Sequence, residues 1–185
     1  MQIFMRWKPA SRPTSRLAEY ESPVQPVPRT VVLEPGFAET KRVKVFGQGW
    51  DESAARVRPA VIAAAALDLI RLAQRWESRW ARPTHFLVIL GRVDTGPATA
   101  EERDLLWEAF GLPVFEQVLD GSNHVLAYEC DAHDGFHVRR VGLRLSGCVL
   151  ENSLCACGDP APRLLPLPAP AYALTHRAGE DFARQ

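Results

Sequence analysis

Six of the fifteen prolines fall between residues 9 and 36 (Pro9, Pro13, Pro23, Pro26, Pro28 and Pro35), and a second group runs from Pro160 to Pro170. Each proline removes a backbone donor and pushes the residue before it toward extended geometry. The two groups therefore confine most hydrogen-bonded structure to the part between them. They predict three regions: an irregular or polyproline-like arm over 1–36, a compact domain over 37–165 and a proline-rich tail over 166–185. The arm to about Pro28 is expected to contribute little core. No internal repeat is visible.

The middle must be globular, because 46% of the chain is hydrophobic and 24% charged. Twenty-two basic residues offset twenty-two acidic ones, so no net field draws the chain to nucleic acid, a membrane surface or an acidic substrate. Arg139, Arg140 and Arg144 cluster beside Phe136, but alternation divides them between two faces, and a solvated strand is expected there. The apolar run at the N-terminus is too short for a signal peptide, and Arg6 and Lys8 follow it rather than precede it. Ala60 to Ile70, the most apolar stretch, has 11 residues including Asp68, against the roughly 20 that a bilayer span needs. A cytoplasmic protein is expected, with no nucleic-acid or membrane partner. Its four cysteines are then thiols or metal ligands rather than disulfides.

Strand and helix signals alternate along the chain. Thr30 to Leu33 and Arg42 to Phe46 are β-branched and short, as strands are. Gly47 and Gly49 punctuate a turn, and Asp51 or Ser53 can cap the next element. Ile62, Ala66, Leu69, Ala73, Trp76 and Trp80 recur at spacings of four and three. That stripe predicts one long helix, with Pro59 in or near its first turn and Arg71, Arg75 and Arg79 on its solvated face. Phe86 to Leu90 suits a strand buried on both sides. Thr99 and Glu102 form a capping-box signature; Leu105, Leu106, Ala109 and Phe110 supply a buried face, and Gly111 with Pro113 a stop. Val114 to Leu119 and His124 to Cys130 read as strands around a turn at Asp120–Gly121, with a third from about His137 to Leu145. The predicted class is α/β or α+β: one small domain with two main helices, a mixed sheet and a β-rich, zinc-bearing C-terminal half.

All four cysteines lie in the 28 residues from Cys130 to Cys157, together with His133 and His137. Cys155 and Cys157 are two apart, so in extended backbone both thiols point to one side. Gly158 can take positive φ and turn amides back toward the sulfurs. Cys130 ends one strand and His137 begins the next, so a tight connection through Asp134–Gly135 can bring both to one point. Cys130, His137, Cys155 and Cys157 would make three thiolates and one imidazole, a standard structural zinc set. Cys148 sits among apolar neighbours and reads as a core residue, and His133 is the spare imidazole. The same residues also fit a set of reduced buried thiols or a redox pair.

The strings FGLPVFEQ, YECDAHDGFHV and CACGDPAPRL resemble a stretch of the phenylacetate–coenzyme A ligase-like members of the adenylate-forming superfamily, over about Glu101 to Leu165. In that family a strand leads into a Cys and a His, and C-x-C-G followed by Pro-Arg lies downstream. The resemblance implies a structural zinc on Cys130, His137, Cys155 and Cys157, with Pro162 and Arg163 behind them. The family's aromatic-Gly-x-Thr-Glu motif, which serves nucleotide and magnesium, is replaced here by VLDGSN. Its Ser/Thr/Gly-rich phosphate loop has no counterpart, since Gly47-Gln48-Gly49 is too short. Its C-terminal lid with a catalytic lysine is expected to have no room in 185 residues.

The leading reading is therefore a small zinc-stabilised, non-catalytic accessory or interaction domain, with another protein chain as partner and an unspecified oligomeric state. The alternatives are an enzyme using the Cys/His cluster for zinc or thiol chemistry, or a ligase-related subunit that needs a partner chain. Catalytic zinc would need an open position and a base such as Glu129 or Asp134. Glu129 alternates with Cys130 and so should face away. A Cys130–His133 nucleophile pair has no orienting partner in the sequence.

Overall fold

Strands buried on both faces must be covered on both sides, and that requirement organises this molecule. The computed structural model describes residues 17–167. Its elements are β1 (Thr30–Val32), β2 (Val43–Val45), α1 (Glu52–Arg56), β3 (Val61–Ala64), α2 (Ala66–Gln74), β4 (Phe86–Arg92), α3 (Ala100–Phe110), β5 (Val114–Leu119), β6 (Val125–Glu129), β7 (Phe136–Val138), β8 (Cys148–Glu151) and β9 (Arg163–Pro166). They form one nine-stranded mixed sheet in the order β2-β1-β3-β4-β5-β6-β7-β9-β8. The first five strands of that order are parallel, and pairing becomes antiparallel from β5–β6 onward. The class is α/β, as expected. No helix among the described residues is long and apolar enough to cross a membrane.

The three helices cover one face of the parallel half. Leu69 and Leu72 of α2, Leu106 and Phe110 of α3 and Ala54 of α1 pack on Val31, Ile62, Leu87 and Ile89. The other face is covered by the proline-rich segment. Ala18, Tyr20 and Phe37 are buried against Val32, Val61, Val88 and Leu90, with Val24 and Val27 beside them. This corrects the expectation that the arm to about Pro28 adds little core: its described part buries Ala18 and Tyr20 in that second layer, and β1 just beyond it lies between β2 and β3, second from the edge of the sheet. Between residues 17 and 29 the prolines leave no helix or strand, but they do not prevent burial. Pro9 and Pro13, like the tail beyond residue 167, lie outside the described residues.

Three further expectations change. The long helix from Ile62 is instead a strand followed by a helix. Val61–Ala64 is wholly buried between β1 and β4, α2 starts only at Ala66, and it ends at Gln74. A short apolar run fits either a strand or one turn of a helix, and pairing on both sides decided the matter. Trp76 and Trp80 still pack with the helical layer from beyond the helix, together with Trp50. In α3 the capping box and the left-handed Gly111 are as read, but Leu105 is 48% exposed and only Leu106 and Phe110 are buried. The strand expected from His137 to Leu145 stops at Val138. The sheet continues through β9, which inserts between β7 and β8 from within the second proline group.

Candidate metal centre

The antiparallel ladder of β6 and β7 sets Tyr128 opposite His137 and Glu129 opposite Phe136. Successive side chains alternate between faces. Tyr128 and His137 therefore share the face covered by the N-terminal segment, and Cys130 emerges on that side just past β6. The Cys155-Ala156-Cys157 loop, between β8 and β9, approaches from outside. One ligand atom from each of Cys130, His137, Cys155 and Cys157 falls within 4.8 Å of every other. Cys130 Sγ lies 3.6 Å from Cys155 Sγ, and Cys157 Sγ lies 3.3 Å from His137 Nε2. A tetrahedron with zinc–sulfur bonds of about 2.3 Å has edges of about 3.8 Å, so the donor set fits such an ion. The structure leaves the other two candidates outside. Cys148 joins the Val118–Ala127–Phe136 cluster, and His133, 39% exposed, stands 3.7 Å from Glu129.

Backbone amides complete the sulfur environment. Cys157 Sγ accepts from the Asp159 amide at 3.4 Å, Cys155 from the Cys157 amide, and Cys130 from the Ala132 amide. Each sulfur thus takes the N–H two residues on. Gly158, at φ +86°, makes the last of these turns. Burial pushes the Cys130 thiol up to about 12, whereas the Cys157 amide draws Cys155 down to about 7. A divalent cation held by these four residues would supply the charge that lets all three thiolates coexist.

Two residues hold the ligand-bearing loops in register. Gly135 sits in the turn between Cys130 and His137 at φ +82°, and a Cβ there would stand 2.7 Å from the Leu164 carbonyl oxygen. No other residue type fits that approach of turn to strand. Arg163, opposite His137 in the β7–β9 pair, is 3% exposed. It donates to the Asp134 carbonyl at 2.8 Å, to the Asp134 carboxylate, and to Ser153 Oγ at 3.0 Å. One guanidinium therefore ties the turn after Cys130 to the loop before Cys155. Its chain position behind C-x-C-G was visible in the sequence; this clamp was not.

The opposite face of β5 and β6 carries a different cluster, which sequence reasoning missed. Arg103 of α3 donates to Glu116 at 2.8 Å and to Glu129 at 3.1 Å, and Glu116 also accepts from the Ala98 amide. Glu116 is 1% exposed, and burial pushes its carboxyl up to about 7 against the pull of Arg103 and the Ala98 amide. Glu129 faces away from Cys130, as its alternation implied. The available signal was a lone acid inside the apolar run VFEQVL.

A cleft of about 560 Å³ opens at the C-terminal ends of β1, β3 and β4, lined among others by Glu34, Ala66, Gly91, Arg92 and Glu116. Arg92 is tied to the Glu34 carboxylate, the Asp120 carbonyl and, at 2.7 Å, Asn123 Oδ1. Asp120 closes the following turn by accepting from Ser122 and His124 amides at 2.8 and 2.9 Å. The VLDGSN segment is thus occupied with its own turn and with Arg92.

No protein-family model and no curated protein matches the chain. Among solved structures, an open conformation of 2-hydroxyisobutyryl-CoA ligase in complex with 2-HIB-AMP and CoA matches with a TM-score of 0.53 at 18% identity. The same ligase in the postadenylation state with R3-HIB-AMP matches with a TM-score of 0.52, also at 18% identity. The fold resembles a fragment of an acyl-CoA ligase. The matches cover 77% of this chain and only 44% and 43% of the ligase chains, so the protein spans less than half of their length. At that identity the likeness is one of fold. It agrees with the adenylate-forming resemblance drawn from the Cys/His strings.

Proposed function

We propose that this chain is a small zinc-stabilised accessory or interaction domain without adenylating activity, derived from the phenylacetate–coenzyme A ligase-like branch and working in the cytoplasm beside another protein chain. The carrying observation is the closed donor set: Cys130, His137, Cys155 and Cys157 within 4.8 Å, each sulfur accepting an amide two residues on. Four protein ligands leave no position for a reacting water, which separates structural from catalytic zinc. The ion would join the end of β6 and the middle of β7 to a loop some twenty residues further along. Such a site scarcely exists in the unfolded chain, so its binding energy becomes folding energy.

The non-catalytic part rests on the cleft. A nucleotide site needs a cradle of backbone amides and an available cation. Here Arg92 is committed to Glu34 and Asn123, and VLDGSN is committed to its turn. Two measurements test the reading. Metal analysis of protein purified without chelator or affinity tag should give about one zinc per chain, the content expected of a four-ligand site; a metal-free folded protein would remove the proposal. Pyrophosphate exchange with ATP and a panel of carboxylic acids should stay at background, and any acid-dependent exchange would show a working ligase.

A further inference from the structure

His137 is fully buried, and its two ring nitrogens have different surroundings. Nε2 faces Cys157 Sγ at 3.3 Å, inside the donor set. Nδ1 has no hydrogen-bond partner, which is costly for a buried polar atom. The group facing it is the Asp159 carboxylate, with Oδ2 at 3.8 Å. The same oxygen accepts from the Tyr128 hydroxyl at 2.6 Å, and Oδ1 accepts from the Ala161 amide at 2.9 Å. Tyr128 stacks on the His137 ring with centroids 5.4 Å apart, and the Arg139 guanidinium lies 4.8 Å over the Tyr128 ring. Arg139 in turn pairs with Glu21 in the proline-rich layer.

From this arrangement we infer that Asp159 is the positioning residue of the metal centre, accepting the Nδ1 proton of His137 so that Nε2 is the bound nitrogen. The inference rests on the zinc reading above. A neutral imidazole that gives one nitrogen to a metal carries its proton on the other, and that N–H requires an acceptor. Asp159 answers this need from the turn that also delivers its amide to Cys157. The 3.8 Å separation is longer than a hydrogen bond, so Asp159 and the His137 ring must draw together by several tenths of an ångström when the metal binds. Tyr128 limits the carboxylate's freedom and covers the ring face. Asp159 touches no metal; it acts through His137.

The test uses the full chain loaded with zinc or cobalt(II). Long-range proton–nitrogen correlation on histidine-labelled zinc protein should show His137 with a protonated Nδ1 and a metal-bound Nε2; the reverse tautomer overturns the inference without any variant. Asp159→Asn should weaken zinc binding by roughly ten- to a hundredfold, as loss of such an outer partner does elsewhere. The thiolate-to-cobalt bands of a four-ligand site should persist, and Asp159→Glu should recover much of the affinity. Equal affinities for parent and Asp159→Asn sink this inference alone. A parent that shows no cobalt bands and binds no zinc sinks both it and the zinc reading.

Discussion

The two faces of the β5–β7 ladder hold two ionisable clusters, one buried and one half-buried with Cys157 exposed, that solve opposite problems. On the helical face, Glu116 and Glu129 meet around Arg103, so the fold supplies its own cation. On the other face, three thiols and an imidazole converge with no lysine or arginine among them. A buried charge must be paired or it will neutralise. The first cluster satisfies that rule internally; the second satisfies it only with a proton or a bound metal. The contrast separates an ion network that belongs to the apo fold from one that implies a ligand.

The largest expected effect comes from breaking the second cluster. Cys155→Ser and His137→Ala should each lose most of the zinc and melt lower and less cooperatively, at a cost on the order of several kcal/mol of metal-linked stability. Cys148→Ser and His133→Ala should keep the metal. Paired metal analysis and calorimetry decide this; uniform zinc content across all four variants would mean that the quartet is not a metal site.

Removing the internal cation should come next. Arg103→Met strands two carboxylates and should destabilise by about 3–5 kcal/mol, the usual consequence of unpairing a buried charge. Zinc stoichiometry should not move, since the clusters lie on different faces and share no partner. A simultaneous loss of zinc would merge the two clusters into one cooperative unit.

Acidity distinguishes the clusters by sign. The folded carboxyl of Glu116 titrates near 7, above its ordinary value of 4.5. Between those values the folded state holds more proton than the unfolded one, so this group's contribution to stability falls as pH rises from 4.5 to 7. The total is on the order of 3 kcal/mol. Thiolate–metal bonds act the other way, since acid protonates the sulfurs and releases the ion. Denaturant titrations of parent and Glu116→Gln at fixed free zinc should therefore diverge across this window, with the variant gaining relative stability toward neutral pH. Parallel curves would show that Glu116 titrates as an ordinary carboxyl.

The smallest effect sharpens the assignment of Arg103 to α3. Thr99→Ala removes the side chain that accepts from the Glu102 amide at 3.2 Å. It should cost about 1 kcal/mol by chemical denaturation. Zinc content should be unchanged, because α3 contributes nothing to the metal face.

Much of this was legible in the chain. The capping box of Thr99 and Glu102, the stop at Gly111 and the strand from Phe86 are local signals, complete within a few residues, and all were found as read. The four residues brought together at the candidate metal centre were likewise marked by type and spacing. Arg103, Glu116 and Glu129 left a fainter trace, because ion pairing across 13 and 26 residues has no period. The division of Ile62 to Trp80 between a strand and a helix was illegible for another reason: an apolar stripe records that one side is buried, and only neighbours reveal that the other side is too.

The sequence by itself determined the alternation of strands and helices and a set of soft ligands held close in the chain. These depend on backbone geometry and residue chemistry within a short window. The tertiary structure alone decided that the proline-rich segment forms the second layer of the core. It also decided that β9 lies between β7 and β8, and that Asp159 rather than another acceptor faces His137 Nδ1. Each of these depends on which surfaces meet after the sheet has assembled. Burial and pairing are properties of that assembly, and no local pattern encodes them.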